Sequence, residues 1–121
     1  MRTYPIYRDD RILFAFEIEN VYISRANTAK LLKSSELVTE VNLQGRFGSS
    51  DDVRIKFNYA GQAFIVLEPY GDNSRYWIGP EDPSDNLIDV ADLKNTFDAY
   101  QPSFVRSMVG DIASLQIFRR S

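Results

Sequence analysis

Asp52-Val-Arg-Ile-Lys-Phe-Asn-Tyr59, Ala60-Gly61, Gln62-Ala-Phe-Ile-Val-Leu-Glu-Pro-Tyr70, Gly71-Asp-Asn-Ser74 and Arg75-Tyr-Trp-Ile78 follow one another without a break, and their reading decides the fold. Val53, Ile55, Phe57 and Tyr59 alternate with Arg54, Lys56 and Asn58, so an extended chain sends them in turn to a core and to water. Ala60-Gly61 and Gly71 to Ser74 supply residues that tolerate unusual backbone angles or bond back to their own main chain. A three-strand antiparallel meander follows. With Ala60-Gly61 as a two-residue turn, Tyr59 stands opposite Gln62, Phe57 opposite Phe64 and Ile55 opposite Val66. The same register sets Lys56 against Ile65 and Arg54 against Leu67, mixing cations with large aliphatics on the second face. That face is expected to be partly covered, by a helix or by a partner.

Upstream, Arg11 to Ile23 reads as a strand with Ile12, Phe14, Phe16 and Ile18 on one face and Ala15, Glu17 and Glu19 on the other. Ser24 is placed to cap a helix over Arg25 to Lys33, whose apolar stripe is Ala26, Ala29, Leu31 and Leu32. Leu37 to Phe47 alternates again, with Leu37, Thr39, Val41 and Leu43 sharing a face. Downstream, the two prolines in Gly79 to Asp85 forbid a continued strand. Val90 to Tyr100 has Val90, Leu93, Phe97 and Tyr100 at helical spacing behind Asp89 as cap, and Pro102 ends it. Ser103 can cap a last helix to about Ala113, and Leu115 to Arg120 fits either more helix or an edge strand. The order is β-α-β-β-β-β-α-α, an α+β fold in one domain, 1–121, with an antiparallel sheet of about five strands packed by helices.

The chain has 121 residues with no cysteine and no histidine. Disulfides, thiolate metal sites, the usual imidazole base and the Ser-His-Asp arrangement are therefore excluded, and any catalysis must use carboxylates, Lys, Tyr or Ser. No apolar run approaches the ~20 residues of a membrane span, and the first ten residues lack a signal-like apolar core, so a cytoplasmic location is expected. Net charge is −3, unevenly spread. Between Glu68 and Asp98, eight acids (Glu68, Asp72, Glu81, Asp82, Asp85, Asp89, Asp92, Asp98) face Arg75 and Lys94, a local −6 that leaves +3 elsewhere. This acidic third favours a basic partner over nucleic acid.

The candidate chemistry is sparse. The acidic segment lacks the spacing of a calcium loop, so solvated loop and cap charges account for it more simply than a metal does. Asp52 with Lys56 lacks the Glu that a metal-dependent nuclease places near its lysine. Glu17 and Glu19 lie two apart on one strand face, where glycosidase chemistry needs two carboxyls across a cleft. Gly45 to Gly48 has no helix behind it to make a phosphate loop. Tyr70, Tyr76 and Trp77 flank a polar turn and can be interface anchors or the rim of the core. No cofactor, metal or catalytic residue is expected.

The tract Gly71-Asp-Asn-Ser-Arg-Tyr-Trp-Ile-Gly-Pro-Glu-Asp-Pro83, then Leu87 to Leu93 and the helix end Phe97-Asp-Ala-Tyr100, resembles small bacterial immunity proteins that neutralise polymorphic toxins, including those of contact-dependent growth inhibition. The resemblance implies a cytoplasmic domain, not an enzyme, that binds a cognate toxin domain, often a basic nuclease, and blocks it. Glu68, Asp72, Glu81, Asp82 and Asp85 would then be charge-complementary contacts and Tyr76 and Trp77 anchors. Two rival readings are an acidic nucleic-acid mimic, such as a phage anti-defence protein, and a small carboxylate-based or metal-dependent hydrolase.

Overall fold

A computed structural model describes residues 1–8, 11–20, 23–44, 53–68, 75–83 and 88–101. The elements are β1 (Thr3–Tyr7), β2 (Leu13–Glu19), α1 (Arg25–Lys33), β3 (Val38–Leu43), β4 (Val53–Tyr59), β5 (Gln62–Leu67), β6 (Arg75–Pro80) and α2 (Ala91–Ala99). Six strands form one antiparallel sheet in the order β1-β2-β6-β5-β4-β3. The class is α+β as expected, but the order is β-β-α-β-β-β-β-α. The additional strand is β1. Its Thr-Tyr-Pro-Ile-Tyr has no apolar alternation, and its proline is acceptable because the strand lies at an edge of the sheet. The helix expected over Ser103 to Ala113 and the segment from Leu115 lie outside the described residues.

One sheet face carries the main core. Phe16, Ile18, Val38, Ile55, Phe57, Tyr59, Phe64, Val66, Tyr76 and Ile78 join Ala29 and Leu32 of α1 and Leu93 and Phe97 of α2 in a single buried cluster. Both helices therefore lie on this face. Ser24 caps α1 as its sequence suggests, accepting from the Asn27 amide at 3.1 Å, while Lys30 and Lys33 sit in the last turn, where the helix dipole favours cations. The carboxylate of Asp89 accepts from the Ala91 amide at 2.7 Å at the start of α2. The Val90 amide donates to the Leu13 carbonyl at 2.9 Å, tying that helix end to β2.

The meander has the expected pairs Tyr59↔Gln62, Phe57↔Phe64, Lys56↔Ile65 and Ile55↔Val66. Ala60 and Gly61 both have positive φ, +51° and +82°, as a twisted hairpin turn demands. Ala60 is exposed, so burial of its side chain does little to offset the cost of its left-handed backbone. Ala60→Asn is expected to stabilise the fold by about 0.5–1 kcal/mol, since Asn tolerates this region and Asn-Gly is the favoured pair. The measurement is the urea midpoint, which must rise at unchanged slope. A midpoint that stays put or falls refutes this account of the turn.

Three irregularities alter the alternation read from the sequence. Ile6↔Ala15 is followed by Tyr7↔Leu13, so Phe14 is an extra residue, and Leu13 takes the core position expected for Phe14. Thr39↔Asn58 is followed by Asn42↔Lys56, so Glu40 and Val41 stand together against Phe57. Val38 thus turns inward, while Leu37 and Leu43, on the expected core face of this strand, are 48% and 51% exposed. Val53↔Leu67 is followed by Ile55↔Val66, which leaves Arg54 without the expected partner Leu67. Each is a bulge, which bends its strand and redirects side chains.

Candidate functional site

The bulge at Arg54 builds the most distinctive feature of the molecule. Val53 pairs with Leu67 on the second face and Ile55 with Val66 on the core face, so the extra residue between them is free to swing toward the core face. There the Nε of Arg54 donates to Oε2 of Glu68 at 2.9 Å. Glu68 is only 5% exposed, and the guanidinium offsets its desolvation. Beside this pair β6 contributes Tyr76, 8% exposed. The bulge in β3 places Leu43 opposite Ile55, on the same face. From above, the N-terminal turn of α1 adds Ser24, Arg25 and Ala26, completing a cavity of about 350 Å³ at one end of the sheet.

Among the described residues, the cavity lining carries two guanidiniums, Arg25 and Arg54, and one carboxylate, Glu68. Arg25 donates from Nη1 to the Gln44 carbonyl at 2.8 Å, which steadies the guanidinium but leaves its charge uncompensated by any described carboxylate. Burial raises the Tyr76 phenol above its ordinary pKa, the Glu68 charge adds to this, and Arg25 and Arg54 oppose it. Tyr76 thus stays protonated at neutral pH and offers a hydroxyl donor.

The second sheet face is built differently. Trp77 pairs with Glu17 on one side and Leu67 on the other, and its half-buried indole lies across Gly79. Ala15 and Ile65 are buried on this face, outside the main core cluster, and neither described helix packs there. Around them runs a polar rim. Arg75 bridges to Glu17 at 3.2 Å and stacks its guanidinium 3.8 Å from the Tyr4 ring centroid, while the Tyr4 hydroxyl donates to Glu19 at 2.7 Å. Glu17 and Glu19 are thereby absorbed into structural pairs.

The residues singled out from the sequence are thus distributed. Glu68 and Tyr76 come together, in the cavity and not on a surface. Trp77 lies on the opposite face. Glu81 and Asp82 are exposed just past the other end of β6, with the Glu81 amide donating to Ala63 at 3.0 Å, so they stand roughly 16 Å along the strand from Tyr76. Asp72 and Asp85 lie outside the described residues. Of the remaining acids in this third, Asp89 and Asp92 serve the start of α2, and Asp98 accepts from Thr3 and from Lys94 at 2.9 Å. Among the described residues no three acids are grouped to hold a metal ion.

Arg25, Arg54 and Leu43 were not legible as neighbours of Glu68. Strict alternation sends Arg54 to the other face, and only the bulge brings it back. Compared with protein-family models, curated proteins and solved structures, the chain finds no match in any of the three.

Proposed function

We propose that this chain is an immunity protein, acting in the cytoplasm by binding a cognate toxin domain in a one-to-one complex and neutralising it. The observation that carries the reading is Trp77: a half-buried indole on a sheet face that no described helix covers, ringed by fixed polar pairs. Aromatic anchors set in a polar rim are where binding energy concentrates. Exposed Glu81 and Asp82 beyond β6 add negative charge suited to a basic partner such as a nuclease domain, and such charge acts mainly on the rate of encounter. Tyr76 is too deeply buried to anchor a macromolecule, and Glu68 is engaged with Arg54. The contact surface in this proposal therefore centres on Trp77 alone of the two aromatics.

The test is co-expression with a toxin-like domain of the kind this proposal expects to be encoded beside the gene. The wild-type chain is expected to restore growth and to co-elute with the toxin at equimolar ratio. Trp77→Ala is expected to weaken the complex roughly tenfold or more. Failure of the wild-type chain to protect, or full affinity in the Trp77 variant, defeats the proposal.

A further inference from the structure

We draw no further inference here: the strongest candidate, the cavity between the first turn of α1 and the ends of β3, β4 and β6, carries nothing because every buried polar side-chain atom among the described residues has a hydrogen-bond partner, which leaves a helix N-terminus and Arg25 with no second observation that points to a ligand.

Discussion

Replacing Phe97 by alanine is expected to lower the unfolding free energy by about 3–5 kcal/mol, the range for emptying a fully buried aromatic position. Phe97 has no exposed surface, and its ring centre lies 5.4 Å from that of Phe16 at 58°, a tilted contact worth more than area alone. The helix that carries it has nine residues, too short to persist without tertiary contacts. Its docking relies on Val90, Leu93 and Phe97, all fully buried, and on the bond from Val90 to Leu13. Losing the largest of the three side chains removes much of what holds α2 to the sheet. Against a typical domain stability of about 5–15 kcal/mol the loss is large. Urea unfolding measures it, with exposed Asn95→Ala as a control expected to move stability by less than about 0.5 kcal/mol. A deficit in the Phe97 variant under about 1 kcal/mol would mean that α2 does not pack the core as described.

Gly79→Ala is expected to dislodge the indole of Trp77. A Cβ at this position would lie 2.6 Å from Cη2 and 2.8 Å from Cζ2 of that ring, and 2.8 Å from the Cβ of Ala15. Ala15 is fully buried and attached to the neighbouring backbone, so the ring must yield. Overpacking of this kind costs about 1–3 kcal/mol. Because the chain contains one tryptophan, its fluorescence reports the event without interference. The emission should shift to the red as the ring lifts into water, and stability should fall with it. Under the proposed function the affinity for the toxin domain should fall as well, since the anchor is misplaced while its side chain is intact. Unchanged emission together with unchanged stability would show that Gly79 is not the floor of this ring.

Local rules carried much of the fold. The Ala60-Gly61 turn fixed the pairing of Tyr59 with Gln62 and of Phe57 with Phe64, because a two-residue loop leaves no freedom of register. Ser24 and the Lys-rich end marked both limits of α1, since caps and dipole preferences act within a single turn. What escaped were features without a local signature. Thr3–Tyr7 becomes a strand because Tyr4 and Ile6 find Glu17 and Ala15 across a pairing that nothing in the first seven residues announces. The bulges at Phe14, Glu40 and Arg54 are equally silent. Glu40 takes a φ of +53°, a conformation usually left to glycine, so composition gave no warning. The same silence governed the cavity. Glu68 and Tyr76 could be singled out as polar and aromatic residues near a turn, but their meeting with Arg54 and Arg25 depends on a one-residue insertion in a ladder and on where a helix begins in space.

The two outermost strands carry a further consequence. Among the described residues, β1 has a proline at its centre and β3 a left-handed Glu40 at its bulge, so neither of these outer strands presents an unbroken row of amides and carbonyls along its free side. A second molecule laying a strand along β1 meets a missing donor at Pro5, and along β3 it meets a kink that throws the ladder out of step. Strand addition along these two described strands is thereby discouraged by the shape of the main chain, independently of salt or surface charge.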